Sequence, residues 1–159
     1  MLELKIKRLS ETATLPTYGS DYAAALDLYA DIGFTNHHYV DLDVNEPSAL
    51  SIQPHQTVKI GCGFAFQPPK GYAGFIYARS GLSTKQGLRP SNCVGVCDND
   101  FIGEYIIPLH NDSDEPQTIH HGDRIAQLLF LPIERVELIE VNNLDSTNRG
   151  TNGFGSTGV

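Results

Sequence analysis

Apolar residues in this chain come in short runs, without the three-and-four spacing of an amphipathic helix. Residues 4–9, 58–67, 73–78, 93–97, 105–110, 125–133 and 136–141 are rich in apolar and β-branched side chains, and Gly, Pro, Asn or Asp separates them. Runs of this length with turn chemistry between them predict strands. Lys5-Ile6-Lys7 and Phe64-Ala65-Phe66-Gln67 alternate in part, as half-buried strands do. Only Ser80–Gln86 predicts a helical turn, with Ser80 placed to cap it and Gly87 to end it. The pattern predicts an all-β fold, a jelly-roll-like distorted β-barrel with one short helix, over residues 1–141. From about Asn142 the apolar periodicity stops, and residues 142–159 read as a flexible C-terminal arm. No internal repeat is visible.

Composition narrows the function classes. The 159 residues suit one domain, and 40% hydrophobic against 19% charged residues is the balance of a globular chain. Fifteen glycines and nine prolines spread along it leave little room for a long helix. A net charge of −8 and a pI near 5.0 exclude the general basic surface that nucleic acid or anionic lipid needs. A small polyanion stays accessible if the few cations gather in one cleft. No stretch approaches the ~20 apolar residues of a membrane span, and Met1-Leu2-Glu3-Leu4-Lys5 lacks the apolar core of a signal peptide. A cytoplasmic protein is expected. Three cysteines, Cys62, Cys93 and Cys97, are odd in number and predict reduced thiols; Cys93 and Cys97 lack structural zinc spacing.

Three segments carry candidate chemistry, each beside a plainer reading. The arm holds Arg149, Gly150, Gly153, Phe154, Gly155, Ser156, Thr157 and Gly158. Glycine amides, hydroxyls and a guanidinium suit a phosphate chain, and Phe154 suits stacking on a base; composition alone equally describes a solvated tail. Gly153-Phe154-Gly155-Ser156-Thr157-Gly158 also matches a dinucleotide fingerprint, yet the chain stops where that motif would open a helix, and no Gly-Lys-Ser/Thr of a Walker loop occurs. In Tyr77-Ala78-Arg79-Ser80-Gly81-Leu82 a strand runs into the helical turn, giving either an anion site at free amides reinforced by Arg79 or a capped surface turn.

The third segment, Gly95-Val96-Cys97-Asp98-Asn99-Asp100-Phe101-Ile102-Gly103-Glu104, is an acidic turn between apolar strands. As a calcium loop it fails, because Ile102 and Leu109 fall at ligand positions. An Asp there either orients and deprotonates a water or closes an Asx turn. Asp27, inside the apolar run 23–30, is either a buried hydrogen-bonded carboxylate or a functional one. His37-His38 and His120-His121 are adjacent pairs whose side chains diverge in strands, so neither converges on a metal.

Taken in order, these strings resemble the trimeric dUTP diphosphatases (dUTPases). Residues 24–30, 79–88, 95–104, Gly122-Asp123-Arg124-Ile125-Ala126-Gln127-Leu128 and 149–158 fall where that family has its motifs, over roughly residue 22 to the C-terminus. The resemblance implies hydrolysis of dUTP to dUMP and pyrophosphate, which keeps uracil out of DNA and supplies dUMP for dTMP synthesis. Asp98 would activate the water that attacks the α-phosphorus. Arg79, Ser80, Gly81, Gln127, Arg149, Gly155, Ser156 and Thr157 would contact phosphates; three of the eleven Lys and Arg, namely Arg79, Lys85 and Arg149, would surround them. Asn92, Gly95 and Val96 would select uracil, Phe101 would pack under the deoxyribose, and Phe154 would close over the base. Mg²⁺ would ride on the phosphates, with Asp27 holding it through water only. A homotrimer is implied, the arm 142–159 of one subunit completing the site of a neighbour.

Two substitutions and one extension depart from the family pattern. Ala25 stands where Gly is usual and Phe101 where Tyr is common, while residues 31–50 are longer than the usual connection and form a candidate hairpin or loop for a protein partner. Two other readings share the strings: a dCTP deaminase of the same fold, and a nucleotide-gated interaction protein using residues 31–50.

Overall fold

In the strand Ile106–Asn111 burial alternates residue by residue, with Ile107, Leu109 and Asn111 inward, which is the period of a pleated strand against a core. The computed structural model describes residues 3–32 and 48–153. In chain order the elements are β1 (Lys5–Arg8), β2 (Thr17–Tyr18), β3 (Leu26–Tyr29), β4 (Ala49–Ile52), β5 (Thr57–Gly61), β6 (Phe64–Gln67), β7 (Tyr72–Tyr77), α1 (Ser80–Gln86), β8 (Leu88–Pro90), β9 (Gly95–Cys97), β10 (Ile106–Asn111), β11 (Gln117–His120) and β12 (Arg124–Pro132).

These strands form four antiparallel ladders. The largest has the order β2-β3-β12-β7-β9; the others are β5-β10-β8, β4-β11 and β1-β6. The all-β, jelly-roll-like prediction holds, although the ladders stay separate and do not close into a continuous barrel. Leu28, Ile52, Ile60, Phe64, Leu88, Ile107, Leu109, Ile119, Ile125 and Leu128 form one core drawn from all four ladders. Each such side chain contributes about 1.5–3 kcal/mol by leaving water.

Three readings of the sequence need correction. The run 58–67 is two strands: Gly63 adopts φ +68°, its N–H donates to Glu104 Oε1 at 2.9 Å, and the chain turns there out of β5 and into β6. The run 136–141 forms no strand, since it finds no ladder partner among the described residues; Val136, Leu138, Ile139 and Val141 are exposed. Helix α1 has the predicted bounds, but Arg79, in extended backbone, is its N-cap, and Ser80 is its first residue. Gly87 ends it as expected, left-handed at φ +68° and donating to Leu82 O and Ser83 O.

Gly63 is also where space is tightest. A Cβ there would lie 2.4 Å from Asp31 Oδ2 and 2.5 Å from Ala13 Cβ, in a backbone conformation that L side chains avoid. Gly63→Ala should therefore destabilise the fold by about 3 kcal/mol, read as a melting temperature lower by about 10 °C in a thermal scan.

Most of the extension 31–50 lies outside the described residues, so its proposed partner role does too. Its two ends are held by one residue: His121 Nδ1 accepts from Ile32 N–H at 3.1 Å, and His121 N–H donates to Ser48 O at 2.7 Å. All three cysteines are free thiols, as expected. Burial pushes the Cys62 thiol well up, helped by the nearby Glu104 and Asp31 charges, so it is an inert core group. Among the described residues no helix is long and apolar enough to cross a membrane.

Candidate functional site

Strand β12 lies between β3 and β7, and the register sets Gln127 beside both Asp27 and Tyr77. Asp27, Arg79 and Gln127 thus meet at one end of the largest sheet. Asp27 is buried, and its carboxylate is forked between two guanidinium groups: Arg79 Nε donates to Oδ1 at 2.7 Å and Arg124 Nη1 to Oδ2 at 3.1 Å. Arg79 Nη1 also donates to Arg124 O at 3.3 Å. Gln127 Nε2 donates to Ala78 O at 2.7 Å, which ties it to the strand end that presents Arg79.

Two guanidinium charges against one carboxylate leave this corner cationic on a chain whose net charge is −8. The cations lie at the rim, because side-chain exposure rises from 12% at Asp27 through 25% at Arg79 to 49% at Arg124. Ser80 and Gly81 open the helix beside them and are exposed; a Cβ on Gly81 would meet nothing within 4 Å. Packing within this chain therefore gives Gly81 no reason to lack one. Arg124 was not singled out from sequence. The available signal was a charge opening an apolar strand whose third residue onward is polar only at Gln127.

The family resemblance gives Asp27 a metal through water only. Its oxygens both accept from Arg, and the described residues contain no group of three His, Cys, Asp or Glu able to hold an ion. Direct ligation does not fit; its remaining lone pairs fit a water in the hydration shell of a hard ion.

The hairpin that leads into β9 lies at the same end of β7 as Arg79, and Asp98 leaves β9 toward the opposite end. β9 pairs with β7 so that Cys97 faces Gly74 and Gly95 faces Ile76. Close approach explains Gly95, where a Cβ would be 3.2 Å from that of Ile76. Asn92 and Val96 are exposed on this hairpin, and Asn92 Nδ2 lies beside Gly95. The hairpin bends at Cys93, whose φ of +62° is rare for a residue with a side chain. Asp98 follows, exposed, its carbonyl accepting from Phe101 N–H at 3.2 Å to close the turn. Its carboxylate takes no hydrogen bond or ion pair from the described residues. Phe101 leans on the buried Tyr105, ring centroids 6.0 Å apart. Burial, with Cys97 alongside, pushes the Tyr105 phenol well up, so it stays neutral.

The register sets Asp98 apart from the Arg79 corner. Arg79 lies five residues beyond Gly74, hence roughly 17 Å along the strand from the point where Asp98 leaves the sheet. Arg149 joins neither of them; it is exposed, and its Nε donates to Asn152 O at 3.0 Å. Phe154, Gly155, Ser156 and Thr157 lie outside the described residues.

Comparison with known proteins gives a uniform result. A sequence model of the dUTPase family matches residues 35–158. The deoxyuridine 5'-triphosphate nucleotidohydrolase of Desulfitobacterium hafniense is 40% identical over 164 aligned positions, covering 100% of this chain and 99% of that one. The protein of the same name from Anaplasma marginale is 38% identical over 161, covering all of both. Among solved structures, the Staphylococcus bacteriophage 80alpha dUTPase with dUpNHpp has a TM-score of 0.81 at 26% identity, with 99% of each chain covered.

Proposed function

The chain belongs to the dUTPase family and is a dUTP diphosphatase, and from that premise we propose how its residues cleave dUTP to dUMP and pyrophosphate. Asp98 accepts a proton from a water, and the water oxygen attacks the α-phosphorus. The bond from that phosphorus to the α–β bridging oxygen breaks, the electron pair leaves with pyrophosphate, and the attacking oxygen remains on dUMP. A carboxylate that takes no hydrogen bond or ion pair from the described residues is free to take that proton.

The observation that carries this reading is the separation of Asp98 from the Arg79 corner. Cations and helix amides cluster at one end of β7 and the carboxylate at the other, which supports a substrate held between subunits. We propose a homotrimer with three such junctions, as the family resemblance implies. At each, one subunit offers Arg79, Ser80, Gly81 and Gln127 to the phosphates, and the next offers Asp98 with the Asn92–Val96 hairpin and Phe101 to the nucleoside. The arm of a subunit, through Arg149, Phe154, Gly155, Ser156 and Thr157, closes the junction. Arg124 joins the phosphate group by holding Asp27, and thereby Arg79, in place. Most of the acceleration then comes from positioning and from cations on the triphosphate.

Mg²⁺ bound to the triphosphate would neutralise charge on its oxygens, with Asp27 reaching its hydration water. The hairpin backbone selects uracil because a cytosine edge would bury a donor against a donor. Pyrophosphate release from dUTP, dTTP, dCTP and UTP, each with and without Mg²⁺, tests the whole reading: release from dUTP should exceed the others at least a hundredfold and depend on Mg²⁺. Ammonia release from dCTP would favour the deaminase instead, and equal rates on all four would end the selection argument.

A further inference from the structure

We infer that Gly103 is a positioning residue for sugar selection: its bare backbone is the seat that holds the Phe101 ring in place. The inference rests on the reading of Phe101 as the platform under the deoxyribose.

Phe101 is the only aromatic residue in the 98–104 turn, and its side chain is partly exposed, at 44%. The ring meets Tyr105 at a tilt of 51°. Tyr105 is itself fixed, buried between Phe64 and Phe66 at centroid distances of 6.0 Å and 5.2 Å. A Cβ at Gly103 would fall 2.7 Å from Phe101 Cζ, 2.8 Å from Cε2 and 3.7 Å from Cε1. These three atoms are its nearest neighbours, and carbon atoms do not approach within 3 Å without displacement.

Backbone conformation offers no other reason for glycine here, because Gly103 is not among the residues with positive φ. An added methyl group therefore asks one thing of the fold, that the far edge of the Phe101 ring move. The ring is the end of a flexible side chain and can swing about χ1 and χ2 without disturbing the strands. Phe101 also carries no hydroxyl to tether it, so packing, including that against Tyr105 and Gly103, sets its position. A ring displaced by about an ångström no longer presents the same surface to C2′ of the sugar, where deoxyribose and ribose differ by one hydroxyl. Discrimination of that size depends on close contact.

Steady-state kinetics on dUTP and UTP for Gly103→Ala, Phe101→Ala and the double variant provide the test. Gly103→Ala should raise KM for dUTP, leave kcat within about twofold and reduce the preference for dUTP over UTP roughly tenfold. Phe101→Ala should reduce that preference at least as much. The double variant should match Phe101→Ala, because a residue acting only through the ring has nothing to perturb once the ring is gone. An unchanged preference in Gly103→Ala beside a reduced one in Phe101→Ala overturns the role of Gly103 and leaves the platform intact. An unchanged preference in Phe101→Ala overturns the platform, and the role of Gly103 with it. Additive losses in the double variant also overturn the inference. Should Gly103→Ala fail to fold, the double variant must fold, since it lacks the ring that the methyl group meets; a double variant that fails as well overturns the proposal.

Discussion

Asp98→Asn should lower turnover of dUTP by at least a hundredfold while leaving its affinity within about tenfold. The amide keeps the size and hydrogen-bonding reach of the carboxylate but accepts no proton near neutral pH, so only the step proposed for Asp98 is removed. Affinity should survive because the proposed phosphate contacts lie at the other end of β7. Binding of a non-hydrolysable dUTP analogue, measured by calorimetry beside pyrophosphate release, separates the two quantities. Activity close to that of the unaltered protein would remove Asp98 from the base role. The same variant probes the shared site. Mixed with Arg79→Ala under conditions that exchange subunits, it should regain activity, since some junctions then pair an intact carboxylate with an intact guanidinium. Recovery would not occur if each chain supplied both groups to its own site.

Removal of residues 148–159 should lower kcat/KM by two decades or more and move the melting temperature by no more than about 2 °C. Residues 148–153 are exposed, and Arg149 contacts only its own turn, so the described part of this segment adds nothing to the core. On the proposed mechanism the loss is entirely of contacts to the phosphates and the base. A truncated chain that melts far below the full one would show that the arm supports the fold, and the assignment of residues 142–159 as a separate functional arm would fall.

Much of this molecule is legible in its sequence where local chemistry decides the outcome. Helix α1 has its predicted bounds because Gly87 can take the left-handed cap at little cost, and the strands at β7, β10 and β12 are apolar enough to stand out. β2, β4, β8 and β11 escaped detection because each spans only two to four residues, and β3 because Asp27 interrupts its apolar pattern. Gly63 passed for a small residue inside one long run; the pressure of Asp31 and Ala13 that makes it a turn comes from distant parts of the chain. The segment 136–141 has strand composition, and composition says nothing about whether a partner edge exists. The candidate site divides in the same way. Arg79 and the acidic turn holding Asp98 stand out by residue type and spacing, whereas Gln127 enters only through the resemblance to the dUTPases. That Arg124 shares Asp27 with Arg79, and that Asp98 leaves the sheet far from both, depends on register, which only the folded chain defines.

The forked carboxylate of Asp27 also bears on which anions this corner ignores. With one of its two guanidinium charges already balanced, the corner offers a lone orthophosphate or sulfate ion little net attraction, and in a salt-filled solution that remainder is screened within about 10 Å. A ligand with several linked charges suffers far less from this, because each phosphate that docks holds the next close by. Abundant inorganic anions should therefore be poor competitors, although the corner is built from the same groups that bind them elsewhere.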